Sequence, residues 1–458
     1  KEIDMTRTTR KAEWRLSGFV RSTITVLALL SLVAGMTVAG GGQEESAAEG
    51  AETVTLEYWH WNPEQNDMID GIIADFEADH PSIQVEVTSM VPSDYWTKIR
   101  LQANQQALPD VFDMSSGFIE TWATDGFLYD LSDYVASSPE ADEYYESLVE
   151  SARTLAGTDG YYALPYAFVI PILYFNKDAF DEAGVSYPSE DWTWDDFVDA
   201  AEALTVDNDG DGDPDQWGHH FYGRYAQVEP WVYANNGRLI DRDAMRFTPD
   251  ENAREALEFL VSLVDQHGVV PEPKTVADIG TADVFATGLS AMWVDGSWNI
   301  GYMRDNVGDE FTWGVAPVPT GPSGDGSLVY GWSDFIAIGA DTDEPDASWQ
   351  LLTYLTGEGR TLDNFSAGKI PSYRALAEDP AFLEPSMQPE EKGILLDLAQ
   401  REPVTSFTKA WSEWRGYGPA ESMGFNAIMD AVLNDELGYA EALSRADENL
   451  NEILSREY

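Results

Sequence analysis

The sequence contains no cysteine. Disulfides, thiolate nucleophiles and a lipid-modified N-terminal cysteine are therefore excluded as expectations. Cations are scarce: Lys and Arg total 26 against 82 Asp and Glu, a formal net charge of −56. Nucleic acid is not expected as a partner, because phosphate contacts need clustered Lys and Arg. An anionic membrane surface would repel such a chain. The five histidines are scattered apart from His219-His220, and no H-E-x-x-H zinc spacing occurs. No G-x-S-x-G nucleophile elbow occurs either.

Aromatic residues are abundant. Sixteen Trp, 21 Tyr and 19 Phe, with 43% hydrophobic residues overall, argue for a folded chain despite its acidity. A length of 458 residues allows two or three domains. An acidic surface on a folded core keeps a chain soluble, and a salty medium is one setting for it.

The N-terminus reads as an export segment. Arg7, Arg10, Lys11, Arg15 and Arg21 form a basic region, and Ser22 to Ala39 carries no charge. Thr37-Val38-Ala39 places small residues for cleavage after Ala39, so residues 1–39 are expected to be a signal peptide. An uncleaved membrane anchor is the alternative. Residues 40–51, rich in Gly, Glu and Ala, read as a flexible linker. The folded part is then expected outside the cytoplasm, periplasmic or extracellular.

Alternating strands and helices follow. Val54, Leu56 and Tyr58 alternate with polar neighbours, as a strand does. Asp67–His80 carries Met68, Ile72, Ile73 and Phe76 on one helical face, closed by Pro81. Ile83–Val87, Tyr95–Gln106 and "PDVFDMS" continue as strand, helix and strand. Such β-α-β-α-β order predicts an α/β fold with a mainly parallel sheet and ligands beyond the strands' carboxyl ends. Tyr162–Asn176 is long, apolar and extended, since Pro165 and Pro171 bar a helix. Thr193 and Asp196 have capping-box spacing before the helix to Leu204. "GRYAQVEP" reads as a turn leading to Trp231 and Tyr233, 277–285 as one helix, and 419–458 as helical.

Val206–Trp217, "VDNDGDGDPDQW", has the opening of a calcium loop. Asp207, Asp209, Asp211, Asp213 and Asp215 occupy the first five ligand positions, and Gly212 the turn. Position twelve is Gly218, so the closing bidentate Glu is missing. Five like charges that close repel without a cation. A structural Ca2+ stapling the loop is the expectation, against a solvated acidic turn; a calcium switch is not expected.

Several segments in order resemble a known family. "TLEYWHW", "LPDVFDMSS", "YALPYAFVIPILYFNKDAFDEAGV", "TWDDFVDAAEALT", "LSAMWVDGSWN", "GVAPVPTGPSG" and "ASWQLLTYLTGEG" are similar to extracellular solute-binding proteins of ABC importers, the carbohydrate-binding family that includes maltose-binding protein. The likeness covers nearly all of residues 52–458. It implies a two-lobed periplasmic-binding-protein fold of class II type, in which lobes joined by crossing strands close on a ligand by hinge motion. Crossings are expected near Ala167–Val169, Tyr330–Trp332 and Ile370–Ser372. The N-lobe then spans 52–167 and 331–370, and the C-lobe 168–330 and 371–458. The resemblance also implies a monomer that delivers a carbohydrate to permease subunits.

Sugars present apolar C–H faces and a rim of hydroxyls, which suit aromatic rings and polar side chains. Candidates are Trp59, Trp61 and Asn62 after the first strand, and Ser115 and Ser116 after the third. Tyr166 lies at the first crossing and Trp231 after "GRYAQVEP". Trp298 matches the family's cleft tryptophan. Trp332 and Asp334 lie at the second crossing, and Arg374 follows the third. Trp411 and Trp414 in a late loop are weaker candidates, and Asp113 could be a buried strand-end carboxylate. Two other readings compete: the same fold holding a polyamine, metal or peptide, and a secreted glycoside hydrolase with two carboxylates flanking the scissile bond.

Overall fold

The computed structural model describes residues 53–458, apart from 146–147, 151, 154–158, 243, 362–364, 366–367, 383–387, 405–407, 409, 417–421 and 457–458. The expected signal peptide and linker lie outside the described residues. Among the described residues, no helix is long and apolar enough to cross a membrane.

The N-lobe begins with β1 (Val54–His60), α1 (Asn66–Asp79), β2 (Ile83–Ser89), α2 (Pro92–Asn104), β3 (Val111–Ser115) and α3 (Ser116–Thr124). Its sheet is completed by β4 (Ala163–Val169), which leads through Ile170 into β5 (Pro171–Asn176) of the C-lobe. The C-lobe adds α4 (Trp194–Ala203), β6 (Trp217–His220), α5 (Tyr225–Ala234), α6 (Glu251–Asp265), β7 (Ser290–Gly296), β8 (Trp313–Ala316) and β9 (Leu328–Tyr330). After Gly331, β10 (Trp332–Ile338) and α7 (Pro345–Thr356) return to the N-lobe, followed by β11 (Ile370–Pro371). β12 (Glu402–Val404), α8 (Trp411–Arg415), α9 (Phe425–Leu433) and α10 (Tyr439–Leu454) finish the C-lobe.

The six-stranded N-lobe sheet has the order β11-β4-β10-β3-β1-β2, and the four-stranded C-lobe sheet β8-β5-β7-β6. Only part of the N-lobe sheet is parallel. β1 pairs parallel with β2 and β3, while β10 runs antiparallel to β3 and β4, and β11 to β4. β10 enters from the C-lobe end and so runs against β3 and β4, which makes the sheet mixed.

Period-two alternation splits β1 between two cores. Leu56 and Tyr58 join Ile72, Phe76, Leu164, Ile336 and Leu352 on one face. Trp59 joins Tyr95, Ile99, Phe112, Met114 and Phe118 on the other. β4, β5, β7 and β10 are buried along their whole length, as central strands covered on both faces are.

Two connections between the lobes run through Ile170 and Gly331. Gly331 separates β9 from β10, and an added Cβ there would sit 2.8 Å from Phe168 Cζ. The third boundary needs correction. Beyond Ile370–Ser372 the chain stays with the N-lobe: Tyr373 and Leu376 pack against its core and Phe382 is part of it. C-lobe contacts are back by Gln388, whose side-chain oxygen accepts from the Trp313 amide at 3.2 Å, and Lys177 Nζ meets Glu391 at 2.6 Å. Two element readings also change. "GRYAQVEP" is not a turn but enters α5, and 277–285 is two helices broken at Gly280, whose φ is 103°.

Candidate functional site

The carboxyl end of β1 and the neighbouring strand ends form one wall. Trp61 is half-buried, edge-on to Tyr95 and 5.3 Å from the ring of Trp96. Asn62 Nδ2 donates to Asp113 Oδ2 at 3.3 Å, and Tyr58 Oη donates to Asp113 Oδ1 at 2.9 Å. Burial pushes the Asp113 carboxyl up to about 7, although the Tyr58 hydrogen bond and the charges of Arg360 and Lys369 oppose the rise. Asp334 stands across from Ser115 in the β3–β10 register. Its carboxylate accepts from Lys369 Nζ at 2.7 Å, and Lys369 also donates to Tyr166 Oη at 3.2 Å. The Arg360 guanidinium lies 4.6 Å over the Tyr166 ring. Ser116 Oγ donates to the Ser333 carbonyl oxygen, tying α3 to β10.

An aromatic cluster fills the junction of the lobes. Val169, Tyr330 and Trp332 come from the crossing strands, and Tyr225, Ala226 and Tyr233 from α5. Trp298 and Trp411 pack against them. The Trp332 ring is 5.5 Å from Trp298, 5.5 Å from Tyr330 and 6.1 Å from Tyr225. Tyr233 and Tyr330 stack at 5.1 Å. Gly296 lets Trp298 fold back over the end of β7, since a Cβ there would fall 2.1 Å from its ring.

Among the described residues, several charges at this junction have opposite partners. Arg224 Nη1 is 3.2 Å from Asp295 Oδ2, while its guanidinium lies 5.9 Å from the rings of both Tyr225 and Trp298. Asp295 also accepts from Gln227 Nε2 at 2.8 Å and from the Gly296 amide at 2.7 Å. Below the aromatics, buried Arg415 grips buried Glu229 with two hydrogen bonds of 2.9 Å and donates to Tyr330 Oη at 3.1 Å.

The structure brings Asn62, Ser115, Trp298, Trp332 and Asp334 toward this junction, with Trp61 at its N-lobe edge, while Ser116 is buried and Tyr166 sits 3% exposed in an N-lobe core. Three expected positions are corrected. Trp231 is fully buried inside the C-lobe, edge-on to Phe197 at 4.8 Å, and so has no face for a ligand. Trp59 is 5% exposed within one N-lobe core, with Lys98 over its ring at 4.5 Å. Arg374 is exposed and donates to the Asp142 carbonyl oxygen on the N-lobe's own surface. Sequence reasoning missed Arg224, Tyr225, Tyr330 and Lys369. The Arg-Tyr pair opening α5 and the lysine just before Ile370 were the available signals.

The aspartate loop lies apart from this site. The carboxylates of Asp207, Asp209 and Asp215 offer oxygens within 4.8 Å of one another, all exposed. Asp207 accepts from the amides of Gly210 and Gly212 at 2.7 and 2.9 Å, which holds its carboxyl below the usual range. Asp211 and Asp213 are not in that convergent group. The position where a calcium loop carries its closing Glu is barred to any side chain. A Cβ on Gly218 would stand 2.0 Å from the Ala201 carbonyl oxygen. Three hard oxygen donors fit a divalent cation such as Ca2+, but without bidentate closure.

Two α/β lobes, joined by strands that cross between them and meeting at an aromatic, hydroxyl-bearing junction, define a two-lobed binding protein. The chain belongs to the bacterial extracellular solute-binding protein family, whose model matches residues 62–360. It is 22% identical over 342 residues to the multiple sugar-binding protein of Streptococcus mutans, covering 72% of this chain and 78% of that one. It is 27% identical over 333 residues to the mannitol-binding protein of Pseudomonas aeruginosa, covering 68% and 70%. Its fold matches an ABC substrate-binding protein from Listeria monocytogenes in complex with cycloalternan, with TM-score 0.74 and 22% identity, over 88% of this chain and all of that one.

Proposed function

We propose that the chain captures a neutral carbohydrate between its lobes and delivers it to the permease of an ABC importer. The observation that carries this reading is the Tyr225–Trp332–Trp298 cluster, ringed by paired charges. Aromatic faces suit the apolar faces of a sugar, and Asn62 and Ser115 suit its rim. A polyamine would need unmatched carboxylates, yet Asp295 and Asp334 are matched by Arg224 and Lys369. A hydrolase would need a carboxylate pair free to act on the glycosidic bond. The relatives named for sugars and mannitol support the same ligand class.

The protein is proposed to work outside the cytoplasm as a monomer, released by cleavage after Ala39. N-terminal sequencing of secreted protein and light scattering check these points; an intact N-terminus or a stable dimer speaks against them. The Asp207–Asp215 loop is proposed to hold a structural Ca2+ through Asp207, Asp209 and Asp215.

A thermal-shift screen against sugars, alditols and polyamines tests the ligand. A ligand bound only to the native state must raise the melting temperature. A rise with a sugar or alditol, abolished in Trp298→Ala, is expected. A rise with a polyamine alone overturns the reading. Chelator is expected to lower the melting temperature of the wild type and not of Asp207→Asn. An unchanged wild type removes calcium from the account.

A further inference from the structure

α8, the helix Trp411–Arg415, is fixed to one lobe and reaches the other. Trp414 is fully buried in the C-lobe core, 5.9 Å from the ring of Phe425. Arg415 is locked to Glu229 of α5. From this anchored helix, Trp411 and Glu413 face the N-lobe. The Trp411 ring meets Phe118 of α3 edge-on at 5.3 Å. It also lies on Gly117 so closely that an added Cβ would fall 2.0 Å from its ring atoms. Glu413 Oε1 is 3.6 Å from Arg100 Nη1, and the Arg100 guanidinium covers Phe118 at 4.8 Å. On its other side Trp411 stands edge-on to Tyr225 at 6.5 Å, at the end of the aromatic path that runs through Trp332 to Trp298.

A ring held this way ends the aromatic path and seals it against the opposite lobe. We propose that Trp411, docked on Gly117, is an end wall that limits the length of the bound saccharide. This rests on the carbohydrate reading above. A longer chain threading past α3 would have to lift Trp411 from Gly117 and separate Glu413 from Arg100. α8 cannot swing away as a unit, because Trp414 and Arg415 are buried on its other face. Residue 117 admits the ring only because it lacks a side chain.

Calorimetric titration of the full chain with gluco-, xylo- and mannosaccharides, each from monomer to pentamer, tests the wall. In the series that binds, wild-type affinity is expected to fall about tenfold or more beyond a fixed chain length. Trp411→Ala is expected to remove most of that fall. Gly117→Ala keeps the tryptophan but displaces it, so it is expected to shift the cutoff even if Trp411→Ala fails to fold. Equal affinity for long and short members in the wild type overturns the end wall. So does an unchanged cutoff in Gly117→Ala. If no saccharide of any length binds folded wild type, the carbohydrate reading falls and the end wall with it.

Discussion

Two tryptophans that both read as cleft candidates in sequence stand in different surroundings. Trp231 follows a Gly-Arg-Tyr segment and Trp298 a Gly-Ser pair, and both look like cleft residues in sequence. Burial separates them: Trp231 is enclosed by one lobe, whereas Trp298 is half-buried where the lobes meet. Trp231→Ala is expected to cost about 3–5 kcal/mol of stability through lost burial and a cavity. Trp298→Ala should cost only about 1–2 kcal/mol while weakening the ligand at least about tenfold. Urea unfolding and ligand titration of the two variants check the contrast; equal destabilisation would erase it. Asp113 gives a second test at this scale. Its folded-state pKa of about 7 lies above its ordinary value of 3.8, chiefly through burial. Between those values the folded chain binds the proton more tightly than the unfolded chain does. Stability from this group is therefore lost as pH rises from about 4 to about 7, on the order of 4 kcal/mol. The buried histidines act with the opposite sign. Burial lowers His60 to about 4 and His219 and His220 to about 3, so their contribution is lost as pH falls below about 6.5. Comparing Asp113→Asn with wild type cancels the histidines. The variant is expected to gain on the wild type as pH rises from 5 to 8, read by chemical denaturation at each pH. A constant difference across that range would rule out the buried carboxyl as the cause.

Elements with local codes were legible. The helix after Thr193 starts as its spacing predicts, with the Thr193 side chain accepting from the Asp196 amide and Asp196 accepting from Thr193. Thr193→Ala is expected to cost about 1 kcal/mol, visible as a lowered urea midpoint with an unchanged slope. A loss of less than a few tenths would mean the cap is redundant. The prolines at 165 and 171 marked an extended region, and it forms β4 and β5. α5 was not legible, because its code is not local. Pro230 lies inside it and removes one helical hydrogen bond. Every residue from Tyr225 to Tyr233 is buried, so packing on all sides outweighs the local turn signals. The mixed sheet was missed for a related reason. Strand direction depends on which lobe the chain arrives from, and no property of β10 or β4 alone encodes that.

Across the whole molecule, charge is the most one-sided property. A net charge of −56 makes the compact state repel itself, and salt screens that repulsion within about 10 Å at 0.1 M. The melting temperature is expected to rise by several degrees between about 0.05 M and about 1 M sodium chloride, more than for a near-neutral protein of equal size. A flat or falling profile would show that local ion pairs dominate instead. The interlobe pair Arg100–Glu413 is one such local exception, with side chains 37% and 19% exposed. Exposed pairs of this kind contribute little, about 0–1 kcal/mol, so the general repulsion should win.

The sequence by itself determined the α/β alternation, the ordered motifs that mark the solute-binding family and the aspartate loop. These features are set by neighbours within a few residues or by short motifs, so they survive reading in one dimension. Tertiary structure alone decided which aromatics meet at the lobe junction, where the third crossing ends and which charges are matched. Glu229 and Arg415 lie 186 residues apart yet form one buried pair. Trp411 and Gly117 come from different lobes. Only closing the chain through three crossings places them together, because contact across a cleft depends on distance in space and leaves no periodic trace in sequence.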